Sequence, residues 1–215
     1  MNAKVRIDGI EINRVNCVNY LGVFFDDKFN FEYQMDTIIA KINKRIGLLR
    51  RLQSKMTSFS KILFMKSIIL PIYDYCSSIY LMADETRLIQ LQRCVNKAAR
   101  TVLNAPRDSN VNDMMSKLKI LTVRNRIKFN AIKMIHKIIS RGTPLSLFTK
   151  FKIKSTVRER NLRNDNDYVL PNWNNIKFRK SMYYNILKMY NDCKNKYSND
   201  DYFLFNCKRF IISLN

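Results

Sequence analysis

Glycine and proline are nearly missing from this chain, with four of each in 215 residues. Collagen-like, low-complexity and long-linker architectures are thereby excluded, and a turn-rich all-β fold would need more turn-forming residues. Histidine occurs once, at His136, and the five cysteines (Cys17, Cys76, Cys94, Cys193 and Cys207) include no Cys-x-x-Cys pair. A zinc finger or knuckle needs close Cys/His pairs, so no metal site and no cofactor is expected. An odd set of scattered thiols suits a reducing compartment better than a disulfide framework. Long apolar runs are also lacking. The most apolar stretch, 62–80, is interrupted by Lys66, Pro71 and Asp74, whereas a membrane span needs roughly 20 apolar residues. The first six residues have no apolar run of the signal-peptide kind. The expectation is an intracellular protein, nuclear or cytoplasmic, without a membrane partner.

Acid is scarce too. Against 39 Lys+Arg stand 17 Asp+Glu, a net charge of +22. There are 22 Lys and 17 Arg, so the excess equals the lysine count, and drift toward an Asn-, Lys- and Ile-rich composition would supply part of it. Drift does not explain clustering. Between Asp36 and Asp74 there are eight bases and no acid: Lys41, Lys44, Arg45, Arg50, Arg51, Lys55, Lys61 and Lys66. Between Glu85 and Asp108 there are five bases and no acid, and between Asp113 and Asp165 fourteen bases and one acid, Glu159. Such stretches fit a surface that faces phosphates; a solvated basic face without a partner is the other reading.

The apolar pattern predicts a mainly α protein behind a short β-hairpin element. Val5–Ile7 and Ile10–Ile12 flank Asp8-Gly9, a two-residue turn signal, and a second extended run covers 15–25. Met35, Ile38, Ile39, Ile42, Ile46 and Leu49 then form one helical stripe, with Lys41, Lys44, Arg51 and Lys55 opposite. Further helices are expected after Thr57 or Ser58, broken or kinked by Pro71; after Asp84, carrying Leu91 and Val95; over 112–118; and over 123–140, ended by Arg141-Gly142. Residues 150–175 read as loop with short strands, followed by helices over 177–191 and 200–214. The divisions are 1–30 (hairpin), 31–149 (helical domain) and 150–215 (loop and helical subdomain). Ile42, Ile46, Leu49, Leu63, Leu91, Val95, Ile127 and Met134 are expected in one core. Cys17 and Cys76 sit in apolar company and read as core, and His136 as surface.

Three stretches, in order, carry a family resemblance. Tyr20-Leu21-Gly22-Val23, followed by Asp26, Phe29 and Phe31, is similar to a YLGVxxDxxLxF segment. Ile69-Leu70-Pro71-Ile72-Tyr73-Asp74-Tyr75-Cys76, with Ile79-Tyr80, is similar to SxIxPxxxYCxxIW/Y. Leu91-Gln92, then Asn96-Lys97-Ala98 and Arg100, is similar to LQxxQNKAxR. Together they resemble the region after the palm in non-LTR (LINE-type, jockey-like) retrotransposon reverse transcriptases: a primer-grip hairpin, a helical thumb and the C-terminal region downstream of the thumb. Weaker similarity continues through 181–191. The resemblance implies nucleic acid as partner (RNA, RNA–DNA hybrid or DNA), a nuclear location, and for a fragment the missing polymerase palm and fingers. It implies a primer-grip-like role for Tyr20, Leu21, Gly22 and Val23. Asn96, Lys97 and Arg100 either line a helix surface toward nucleic acid or bond within the chain. Gly22, in a strand, suggests a bulge or a close backbone approach, and Pro71, Tyr75 and Tyr80 read as packing residues.

No catalytic residue is assigned. Reverse transcription needs aspartates that hold two metal ions. Phe24-Phe25-Asp26-Asp27 matches the (Tyr/Phe)-x-Asp-Asp pattern in letters, but it follows Tyr20–Val23 where the resembling family has a non-catalytic aspartate, and only Asp8 lies upstream. GxxxxGK[ST], GxSxG and HExxH patterns are absent. The expectation is a chain that binds nucleic acid through Lys41, Lys44, Arg51, Lys55, Asn96, Lys97 and Arg100 and catalyses nothing alone. The alternative is a decayed or co-opted helical scaffold that binds protein or nothing.

Overall fold

A 21-residue helix, α1 (Glu32–Leu52), buries Met35, Ile38, Ile42, Ile46 and Leu49 along one side, as spacings of three and four require. The structure, a computed structural model, describes residues 5–156, 166–170, 182–197 and 203–213. It is mainly helical, behind two β-hairpins: β1 (Val5–Ile7) with β2 (Ile10–Ile12), and β3 (Cys17–Tyr20) with β4 (Val23–Asp26), both antiparallel. After α1 come α2 (Ser58–Phe64), α3 (Pro71–Asp74), α4 (Glu85–Leu103), α5 (Val111–Leu118), α6 (Val123–Arg141), the single turn α7 (Leu145–Phe148), α8 (Met182–Tyr197) and α9 (Phe203–Ser213). Thr57, Asp84, Asn110 and Thr122 cap α2, α4, α5 and α6 through side-chain oxygens, and Gly142 ends α6 with a left-handed φ of 62°.

The hairpin turns follow from residue type. Asp8 and Gly9 have φ of 50° and 80°, and so do Leu21 and Gly22, the pairing a two-residue turn with positive φ at both positions needs. Gly22 is therefore a turn residue and not the strand bulge expected. Nor is it a close approach, since a Cβ there would meet nothing within 4 Å. Cys17 and Cys76 are both exposed, contrary to expectation: Cys17 lies on β3, all four residues of which are exposed, and Cys76 occupies a left-handed turn position, φ 51°.

The helices enclose two apolar clusters. The first joins α1 to α5 and the start of α6 and includes Ile42, Ile46, Leu49, Leu91, Val95 and Ile127; the second joins the later part of α6 to α8 and α9 through Ala131, Ile132, Ile135, Leu187 and Ile211. The core thus divides inside α6, between Ile127 and Ala131. Two residues expected in it are exposed, Leu63 at 53 % and Met134 at 37 %. A π turn over Met65–Ile69, with Leu70 N–H donating to Met65 O, follows α2 and shifts the phase, so that Lys61, Phe64 and Met65 face inward instead. Met134 sits one position off the row of Ala131, Ile135 and Ile138.

Within 150–175 the described residues hold one isolated bridge, Ile153 to Tyr168. Asn191 on α8 clamps Tyr168 by donating to its carbonyl and accepting from its N–H, both 2.9 Å. The helix expected over 177–191 runs to Tyr197, and its first residues lie outside the described ones, as do 200–202 and 214 of the helix expected over 200–214.

His136, expected at the surface, is half-buried. It stacks on Phe203 at 4.9 Å between centroids, and its Nδ1 lies 3.3 Å from Tyr190 Oη. Burial pushes its pKa below the ordinary 6.5. A histidine held neutral in the folded state takes up a proton on unfolding, so acidification through that pKa favours unfolding. The melting temperature should fall below about pH 6.5, and His136→Phe should weaken that dependence; parallel pH–melting curves for both proteins would argue against it.

Candidate nucleic-acid interface

Helices α1 and α4 lie side by side in parallel. Arg87 Nη1 donates to Asp36 Oδ1 at 2.7 Å, and Cys94 Sγ lies 3.9 Å from Asn43 Oδ1; both pairs are 51 residues apart in sequence. Two full turns on, Asn43 is followed on its flank by Arg50, and Cys94 by Thr101. Arg50 and Thr101 keep the same offset, and both line a groove of about 580 Å3 at the C-terminal ends of the two helices.

Five cations line that groove: Arg50 from α1, Arg93, Lys97 and Arg100 from α4, and Arg107 just beyond it. No acid is among the described lining residues. Four acids of the helical body are engaged elsewhere. Glu32 and Asp36 pair with Arg87, Glu85 pairs with Arg124, and Asp74 receives two bonds of 2.6 Å from Arg126 Nε and Nη2. The charge pattern is thus sorted along the helix pair, with acids at the N-terminal ends and unpaired cations at the C-terminal ends. The macrodipoles favour this arrangement, each by a few tenths to about 1 kcal/mol per exposed charge. Dipole compensation is the plainer account of any one of these residues. It does not explain five of them around one concavity.

Arg100 Nε is buried without a hydrogen-bond partner among the described residues. A buried donor of that kind is costly until an acceptor arrives, and a phosphate oxygen is one. Burial pushes the Cys94 thiol up, with the charge of Lys97 pulling against it, so Cys94 stands in the groove as a neutral thiol.

The residues named from sequence are distributed over several faces. Lys97 and Arg100 line the groove. Asn96 does not: it accepts from Gln92 Nε2 at 2.7 Å, and Gln92 Oε1 accepts from Val123 N–H at 2.7 Å, so this pair ties α4 to the start of α6. Lys41, Lys44 and Arg51 are exposed on α1, and Lys55 on the turn after it, outside the groove lining. Arg50, Arg93 and Arg107 were missed. Their signal was present, since Asn43 to Arg50 repeats at two turns, but it needed the parallel pairing with α4 to become a site.

The Tyr20–Val23 and Pro71–Tyr80 segments meet at one junction. Tyr75 Oη donates to Leu21 O at 2.8 Å, and Tyr80 Oη accepts from Gln34 Nε2 at 3.0 Å while Gln34 Oε1 accepts from Phe24 N–H at 3.1 Å. Tyr80 is buried against Phe31, whereas Tyr75 stays half in solvent and acts through its hydroxyl. Asp26 accepts from the N–H groups of Lys28, Asn30 and Phe31 at 3.1, 3.0 and 2.7 Å. Its carboxylate is thus occupied in closing the turn that starts α1, and only Asp27 of the Phe24–Asp27 run faces solvent freely. No helix among the described residues is long and apolar enough to cross a membrane. No protein-family model, no curated protein and no solved structure matches the chain.

Proposed function

We propose that this chain holds nucleic acid by its phosphate backbone, in the groove between the C-terminal ends of α1 and α4, as the thumb of a LINE-type reverse transcriptase holds template and primer. The observation that carries the reading is the set of five cations, Arg50, Arg93, Lys97, Arg100 and Arg107, gathered without an acid on one concavity. Unlike a scattered positive charge, such a set neutralises several phosphates at once. The resemblance supports it in a second way. All three resembling segments converge on this helical body: the hairpin and Pro71–Tyr80 brace α1, and the Leu91–Arg100 segment supplies three groove cations, Arg93, Lys97 and Arg100. The preferred ligand is a duplex, an RNA–DNA hybrid included, because the contacts are to phosphates and not to bases; a nuclear location would follow from that partner. The polymerase step itself is assigned to no residue of this chain.

A salt titration tests the reading. Five phosphate contacts give a slope of log K against log salt of about −4.5. A slope near zero would mean that binding, if any, is not to phosphates.

A second reading has its own observation. Ile7, Ile10, Ile12, Val18, Tyr20 and Leu21 are all exposed on the two hairpins, and over the first hairpin and the link after it Arg6 and Arg14 balance Asp8 and Glu11. A two-stranded hairpin is marginal alone in water, so this arm suits protein contact, either the missing palm or the partner of a helical scaffold.

A further inference from the structure

A second cavity, of about 420 Å3, lies where α5 and the start of α6 meet α9. Its walls include Met115, Lys119, Ile120, Asn125, Lys208 and Ile212, with no acid among the described lining residues. Asn125 is 2 % exposed, yet its Oδ1 has no hydrogen-bond partner among the described residues. Buried carboxamides are nearly always bonded. This one is held on the first turn of a 19-residue helix whose cap, Thr122, is already in place, so nothing in the helix start needs it.

The three kinds of side chain here select a ligand. A carboxamide offers a donor and an acceptor side by side, the pattern that pairs with the edge of a nucleobase. Met115, Ile120 and Ile212 supply apolar surface for the faces of a ring. Lys119 and Lys208 are point charges suited to a phosphate. A fatty carboxylate would satisfy the lysines and leave Asn125 unpaired; a sugar would bond Asn125 and waste the apolar walls. The volume falls within the range of about 300–1,000 Å3 common to small-molecule sites.

We propose that this cavity binds one unstacked nucleotide, with its base edge on the Asn125 carboxamide and its phosphate on Lys119 and Lys208. The nucleotide arrives either free or as a splayed-out residue of a single strand. The site goes beyond the groove, which meets phosphates and reads no sequence. Its strand-borne form rests on the nucleic-acid reading; its free form does not.

The test monitors the Asn125 side-chain amide resonance in the full-length chain. AMP, GMP, CMP and UMP are titrated separately, with ribose 5-phosphate as the control, and then four short single-stranded RNAs, one of each base. A saturable shift with at least one mononucleotide, at about millimolar concentration, and none with ribose 5-phosphate supports the free form. A shift with an RNA alone supports the strand-borne form. Lys208→Gln should weaken binding about tenfold. Ile212→Trp, at an exposed position on α9, should fill the cavity against Met115 and Ile120 and abolish the shift. Silence at Asn125 with every probe, or an equal shift with ribose 5-phosphate, overturns the proposal. The groove is scored apart, because replacing its five cations should abolish duplex binding and leave the mononucleotide shift unchanged.

Discussion

Replacing Arg50, Arg93, Lys97, Arg100 and Arg107 together by Gln is expected to remove most of the chain's affinity for a duplex at low salt. The groove holds all five without a neutralising acid, so each is free to meet one phosphate. Five contacts contribute about −4.5 to the salt slope. Between about 50 and 200 mM salt that slope corresponds to roughly a 500-fold loss of affinity, so the wild-type advantage over the variant should shrink by about that factor across the same range. Glutamine keeps the helix propensity close to that of lysine and arginine, and the fold should survive. Replacing Lys41, Lys44, Arg51 and Lys55 by Gln serves as the comparison. These four lie outside the groove lining, and their loss should cost far less than the loss of the groove set. Equal losses from the two variants would mean that charge alone, and not the concavity, draws the ligand.

The second large effect concerns stability. Ile46 on α1 and Leu91 on α4 are buried at 2 % and 0 % exposure within the first cluster. They help hold the two helices in the parallel register that builds the groove. Truncating either to Ala should cost about 2–5 kcal/mol, from lost burial and the cavity left behind. Leu63→Ala should cost under about 0.5 kcal/mol, the level of a surface change, because Leu63 points to solvent. Chemical denaturation of the three variants measures this. A large loss at Leu63 with small losses at Ile46 and Leu91 would contradict the packing described.

Both effects depend on how the sequence encodes the helix pair, and the encoding is unequal. The α1 stripe from Met35 to Leu49 was legible because regular spacing leaves one apolar row, and the caps at Thr57 and Asp84 were legible because a short polar side chain sits just before an apolar run. The phase of Leu63 was not legible. A π turn is set by the packing of Met65–Leu70 against its neighbours and leaves no period of its own in so short a segment. Cys17 and Cys76 were not legible, because their apolar neighbours in sequence are not neighbours in space. His136 is the opposite case: Lys133 and Lys137 flank it on α6, yet Phe203, nearly 70 residues later, covers it. The groove was half legible, since Lys97 and Arg100 stood out inside a resembling segment. Arg50, Arg93 and Arg107 became partners through the parallel offset of α1 and α4, which is a tertiary fact. Asp26 shows the value of context over letters, because its carboxylate closes a turn by three backbone bonds.

Arginine-selective modification, read residue by residue with mass spectrometry in the presence and absence of an RNA–DNA hybrid, locates the phosphate contacts most directly. The groove account predicts protection of Arg50, Arg93, Arg100 and Arg107, with Arg6 and Arg14 on the hairpin arm modified as fast as in the free chain. Uniform protection of all these arginines, or protection confined to the hairpin arm, would contradict it.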